Sequence, residues 1–171
     1  MAGITRMKIV SLSALLAARG TALGTTAWVA VDRAHVARFT EAMRVPGQPD
    51  TGEPDDLPGC LVLALAATLV RDLVALDDVD TTVIAGVRGA RFAAPVRVGS
   101  RLRAHVVLQD AMNTGRFVQA VFALTYEAAP PTAVPPCAAE IVLLFHAAAT
   151  PAIGHTGSTS APYDTPSTPK P

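Results

Sequence analysis

The residues of this chain that could do chemistry gather at one point, the stretch Pro58-Gly59-Cys60 and the acidic loop before it. Asp50, Glu53, Asp55 and Asp56 lead in, and from Leu61 to Val70 no side chain is ionisable. A helix starting here leaves backbone N–H donors unpaired and carries the positive end of its macrodipole. Those two properties suit an oxygen that gains negative charge, such as an acyl carbonyl under attack. Gly59, at the start of that helix, is the position such an oxygen would meet. Cys60, one residue further in, reads either as a thiol acidified by the dipole or as a small buried apolar residue, the commoner case. An acidic loop is usually solvated surface, yet one carboxylate folded over the mouth, with Asp50 the candidate, can serve as a lone base. Arg91 opens a strand, where it either meets a phosphate or stays in water. His105 and His146 fall on strands outside any paired motif, and read as solvated or hydrogen-bonded strand residues.

The elements that must position this mouth follow from apolar periodicity. Ile9, Leu12, Leu15 and Leu16 share one face of a short amphipathic helix that Gly20 stops. The same run follows Arg6 and Lys8 and so imitates a secretory signal, but Ser11, Ser13 and Arg19 disagree with that reading. A short strand spans Trp28 to Val31, and Asp32 caps a helix whose apolar face holds Val36, Phe39 and Met43. The next stretch, RVPGQPDTGEPDDLPG, is too rich in Pro and Gly for a regular element. Pro58 suits the first position of the long helix that follows, to about Leu76. Being apolar all round, it should be buried on most sides.

The second half reads as strands. Leu102, Ala104, Val106 and Leu108 alternate with Arg101, Arg103, His105 and Val107, Asn113-Thr114-Gly115 marks a turn, and RFVQAVFALTYEA runs back. PCAAEIVLLFHA, a strand near Thr81 to Val87 and the segment RFAAPVRVG complete the set. Long strands joined by hairpins make a curved antiparallel sheet, and the apolar helix is the object for it to wrap. The expected class is α+β, a single domain over residues 1–147. Residues 148–171 are rich in Pro, Ser and Thr, include His155 and Tyr163, and read as a disordered tail. A curled sheet leaves edges that pairing of two copies would cover.

Composition limits the partners. Half of the 171 residues are apolar, and the formal net charge is zero. No basic stripe interleaved with aromatics points to nucleic acid. No segment approaches the roughly 20 apolar residues of a membrane span. Cys60 and Cys137, far apart in apolar surroundings, read as reduced thiols of a cytoplasmic protein.

Three stretches carry a family resemblance. GTALGTTAWVAVDRAHVARF, PGCLVLALAATLV and GVRGARFAAPVRVGSRLRA resemble the opening, the central helix and the Arg-Phe, Pro-Val, Val-Gly-Ser, Leu-Arg signature of the MaoC-like (R)-specific hydratase/dehydratase family. In this chain the signature is Arg91, Phe92, Pro95, Val96, Val98, Gly99, Ser100, Leu102 and Arg103, and the resemblance runs from about Ile9 to His146. It implies the hotdog fold, a curled antiparallel sheet around a central helix. It implies binding of an acyl thioester or a polyketide-like substrate, carried on coenzyme A or a phosphopantetheine arm with no further cofactor or metal. Gly59 matches the glycine whose N–H binds the thioester carbonyl, and Cys60 and Arg91 are the other substrate-binding candidates.

The family's catalytic Asp and His fall here at about Val45 and Asp50, and a second family histidine is replaced by Pro58. No histidine lies between His35 and His105. Three readings follow: a repurposed dehydration or cyclisation step of fatty-acid or polyketide-type metabolism, a noncatalytic subunit pairing with an intact hydratase homologue, or a pure acyl-binding module. The partner implied is a second hotdog chain, as homodimer or heterodimer.

Overall fold

The computed structural model describes residues 7–44 and 55–148. Val45, Asp50 and Glu53, with the tail from residue 149, lie outside them. Helix α1 (Leu12–Ala17) begins at Ser11, whose hydroxyl accepts from the Ala14 N–H, and it is only six residues long. Ile9 is not part of it. That residue makes a parallel bridge to Val74 and is 2% exposed. Strands β1 (Thr21–Thr25) and β2 (Val29–Ala30) follow, then α2 (Arg33–Ala42), capped by the Asp32 carboxylate on the His35 N–H. Val36 is buried in the core as its spacing requires, whereas Met43 is the exposed residue that ends α2.

Helix α3 spans Gly59–Arg71, shorter than the sequence predicts at both ends. Pro58 precedes the helix as its cap, in extended backbone. At the other end the chain leaves the helix to pair with the N-terminal segment. Ile9 donates to the Leu73 carbonyl at 2.9 Å, and Ala75 and Asp77 donate to Ile9 and Val10. These bonds compete with the helix for residues 73–77 and win, because they also bury Ile9, Leu73 and Val74.

Four long strands form the rest: β3 (Val79–Phe92), β4 (Arg101–Asn113), β5 (Phe117–Ala129) and β6 (Cys137–Ala147). Among the described residues all six strands make one antiparallel sheet in the order β1-β4-β5-β6-β3, with β2 also on β4. Only β4–β5 and β5–β6 are hairpin neighbours. The expectation that hairpins join every strand fails at β3, which pairs with β6 and reaches β4 by a crossing connection. At the β4–β5 turn, Gly115 has φ +89 and its N–H reaches the Asn113 side chain at 2.8 Å, the local chemistry the sequence announced.

The inner face of the sheet is apolar with period two. Leu102, Ala104, Val106 and Leu108 of β4 lie with Val118, Ala120, Phe122, Leu124 and Tyr126 of β5, and all are buried. Against that face α3 sets Leu61, Val62, Ala66, Leu69 and Val70. The opposite side of α3, with Cys60, Ala64, Thr68 and Arg71, is exposed, so the helix is buried along one stripe rather than all round. Edge strand β3 is similarly bare. Ile84, Val87 and Phe92 pair with inner-face residues of β6 yet are 50%, 47% and 49% exposed.

Candidate active site at the mouth of helix α3

The mouth of α3 is fixed by backbone pairing with the segment that carries the signature residues. Leu57 donates to the Val96 carbonyl at 2.6 Å and Val98 donates to Asp55 at 2.9 Å, with Asp56 bridging Arg97. The Pro58 carbonyl accepts from Leu61 and Val62 at 2.9 and 3.1 Å, closing the first turn. The N–H groups of Gly59 and Cys60 meet no acceptor among the described residues, and Pro58 provides no side-chain cap. Two donors and the helix dipole thus remain available at one point.

A cavity of about 250 Å³ opens there, lined by Gly59, Leu57, Val62, Phe92, Ala93–Val96 and Pro136. Phe92 explains the glycine. A Cβ built on Gly59 would stand 3.2–3.3 Å from three ring carbons of Phe92, closer than side chains normally approach. The Phe92 ring thus packs against the bare Gly59 backbone where a side chain would otherwise stand. A second cavity, about 530 Å³, shares Pro95 and Val96 with the first and adds Asp56, Arg97, Ser100, Pro131 and Thr132.

The sequence candidates fall as follows. Gly59 is the first residue of α3 and lines the smaller cavity. Cys60 is exposed, not the buried apolar residue that its surroundings in sequence favour. It is the other cysteine, Cys137, that is buried, and burial pushes its thiol up to about 11. Arg91 is exposed at the end of β3, paired through its backbone with Ala138 and outside both cavities. Asp50 lies outside the described residues.

No described histidine lines either cavity. His35 contacts Asp32 at 2.7 Å within the first turn of α2, and Asp32 is held below the usual carboxylate range chiefly by the His35 N–H. His146 donates to Asp80 at 2.9 Å. His105 projects from the outer face of β4, where its Nδ1 shares a hydrogen bond with the Thr25 hydroxyl at 2.8 Å and its Nε2 lies 3.3 Å from Glu127. Beside it Arg103 makes a two-pronged pair to Glu127 at 2.8 and 2.9 Å and stacks 4.4 Å from the Trp28 ring. This outer network was not singled out from sequence. Strand alternation puts Arg103 and His105 on one face, but their partner Glu127 needed the β4–β5 register. Nothing in the described residues groups three metal-ligating side chains.

No protein-family model matches the chain, and no curated protein does. Solved structures do. The chain is similar to an unliganded R-hydratase from Pseudomonas aeruginosa, at 14% identity and TM-score 0.58, over 92% of this chain and 100% of that one. It is also similar to a MaoC-like dehydratase from Rhodospirillum rubrum, at 14% identity and TM-score 0.53, over 77% and 95%. A complex described as a 3R-hydroxyacyl-ACP dehydratase, from Mycobacterium tuberculosis, matches at 18% identity and TM-score 0.52, over 74% and 96%. The fold is the hotdog fold. The chain shares it with MaoC-like (R)-hydratases and dehydratases, as the three sequence stretches implied, and identity this low speaks to fold alone. Within that fold α3 takes the place of the central helix, with one flank left bare. No described helix is long and apolar enough to cross a membrane.

Proposed function

We propose that this protein binds an acyl thioester or polyketide-like acyl chain, with the thioester carbonyl on the Gly59 and Cys60 N–H groups. The acyl group arrives on coenzyme A or a phosphopantetheine arm, and no other cofactor or metal takes part. One observation carries the reading: the Gly59 N–H, with no acceptor among the described residues, stands at an apolar cavity, where the Phe92 ring crowds the place a Cβ would take. Such donors stabilise the oxygen of an enolate-like state, the step common to hydration, dehydration and cyclisation of acyl thioesters. No histidine stands beside them among the described residues, so the activity is a repurposed lyase step of fatty-acid or polyketide-type metabolism in the cytoplasm. Asp50 is the candidate base.

A second reading makes the chain a noncatalytic subunit that pairs with an intact hotdog hydratase and shapes its acyl channel. It is favoured by the bare edge of β3 and the exposed flank of α3. Two of the similar structures are complexes of paired chains, HadBC and ChsH1-ChsH2. Incubation of the pure protein with crotonyl-coenzyme A and longer enoyl thioesters, following hydration, separates the readings. Turnover that Asp50→Ala abolishes establishes the enzyme with Asp50 as its base. Binding without turnover leaves the subunit or a pure acyl-binding module. Absence of binding refutes the proposal.

A further inference from the structure

Among the described residues three Ser or Thr side chains are buried, and two of their hydroxyls are paired. The Thr25 hydroxyl shares a hydrogen bond with His105 at 2.8 Å, and that of Thr26 accepts from the Ala104 N–H at 3.0 Å. The third, Ser100, is 6% exposed, and its hydroxyl has no partner among the described residues. Its backbone is fully engaged. The N–H donates to the Arg97 carbonyl at 3.1 Å across a turn in which Gly99 takes φ +90, and the carbonyl accepts from Val31 at 3.1 Å. Ser100 is thus held in place on both sides, with only its hydroxyl left over.

That hydroxyl is not sealed in the core as the Tyr126 hydroxyl is, and Ser100 lines the cavity of about 530 Å³. The β4–β5 register pairs Leu102 with Ala128 and Arg101 with Ala129, which leaves Ser100 beside Pro130. Ala128 and Pro130 line the same cavity. It meets the cavity at the mouth of α3 along Pro95 and Val96, which line both. The two differ in chemistry. Every side chain lining the mouth cavity is apolar, whereas the larger one adds Ser100, Thr132, Asp56 and Arg97. Thr132 donates to the Val134 carbonyl at 2.7 Å and keeps its oxygen free to accept. Asp56 and Arg97 are exposed and make no ion pair among the described residues.

We infer that the larger cavity seats the pantetheine arm of the acyl thioester, with the Ser100 hydroxyl hydrogen-bonded to an amide or hydroxyl of that arm. This inference rests on the acyl-binding reading above, which puts the thioester carbonyl at Gly59. From that point the arm takes the direction lined by polar groups. Pantetheine alternates amides with apolar carbons, and a hydroxyl can either donate to an amide carbonyl or accept from an amide N–H. In the free protein water satisfies the same hydroxyl, and the arm replaces that water with an equivalent bond. The arm comes from coenzyme A or from a carrier protein.

The test is calorimetric titration of the full chain and its Ser100→Ala variant with the butyryl thioesters of N-acetylcysteamine, pantetheine and coenzyme A. N-acetylcysteamine stops after the first amide, so the natural protein is expected to bind the pantetheine thioester about tenfold more tightly or better. Ser100→Ala should weaken the pantetheine thioester about three- to tenfold, leave the N-acetylcysteamine thioester unchanged, and melt at the original temperature. Equal affinity of the natural protein for the short and long thioesters overturns the inference while the acyl-binding reading stands. So does an equal loss for both in the variant, or a variant that melts much lower or fails to fold, which would show the hydroxyl bonded within the fold. A tighter coenzyme A thioester assigns the arm to coenzyme A, and parity with pantetheine assigns it to a carrier protein; either result supports the cavity as its seat. If no thioester binds the natural protein, the acyl-binding reading falls first and takes this inference with it.

Discussion

Replacing Gly59 by alanine separates the site from the fold, because the two effects of the new methyl differ in size. In a helix interior alanine is favoured over glycine by about 1 kcal/mol, and less than that in the first turn. Against this stands crowding: the methyl would sit 3.2–3.3 Å from the Phe92 ring. That ring is 49% exposed at the edge of the sheet, so it can yield by a few tenths of an ångström at small cost. The terms nearly cancel, and the net change in stability should stay within about 0.5 kcal/mol, or roughly 2 °C in Tm for a chain of this size. The cavity cannot absorb the methyl so easily. The displaced ring and the new Cβ both take space in the cavity that Gly59 and Phe92 line. A lost carbonyl hydrogen bond together with this obstruction should weaken acyl-pantetheine binding at least tenfold, about 1.4 kcal/mol. Calorimetric titration and a thermal melt of the same preparations check both halves. Gly59→Ala with full acyl affinity and an unchanged Tm would refute the placement of the carbonyl. A Tm lowered by much more than 2 °C would refute the claim that Phe92 yields.

Four further outcomes follow from other parts of the structure. Glu127→Gln removes the carboxylate that Arg103 grips with two bonds and that His105 approaches at 3.3 Å; with these groups partly exposed, solvent screening limits the loss to about 1 kcal/mol, read by urea unfolding. Cys60 should react with a thiol reagent in the native protein while Cys137 reacts only on unfolding. The Cys137 thiol is raised from 9.0 to about 11, so between those values the unfolded chain loses a proton that the folded chain keeps, and stability falls as pH rises through that window. A Tm that stays flat from pH 9 to 11 would contradict it. Finally, if the bare edge of β3 joins a second chain, Val87→Lys should convert a dimer to monomer by analytical ultracentrifugation, without lowering the monomer's melting temperature, since Val87 is 47% exposed.

How far the sequence reaches is clearest element by element. The inner face of β4, the Asn113-Thr114-Gly115 turn and the Asp32 cap were legible because each depends on local periodicity or on one side chain meeting its own backbone. The length of α3 was not, because its last turn is contested by Ile9, some 65 residues earlier in the chain, and no local pattern records such a rival. Its burial was misread for a related reason. An all-apolar helix implies cover on most sides, whereas Cys60, Ala64 and Thr68 stay uncovered in the single chain. At the site, Gly59 could be located from the helix start alone. The reason for its missing Cβ could not, since Phe92 comes from the far end of β3 and meets Gly59 only after the sheet has formed. That the Tyr126 hydroxyl has no partner among the described residues was invisible for the same cause: alternation says that the residue points inward, and only the assembled neighbours show what surrounds it.

The most direct measurement is titration of the ¹⁵N-labelled protein with butyryl-pantetheine, following every backbone amide by NMR. The expected result is that the Gly59 and Cys60 amides shift most, downfield, as they donate to the thioester carbonyl. If those two stay fixed while amides elsewhere respond, for example around Trp28 and His105 on the outer face, the carbonyl is not held at the mouth of α3.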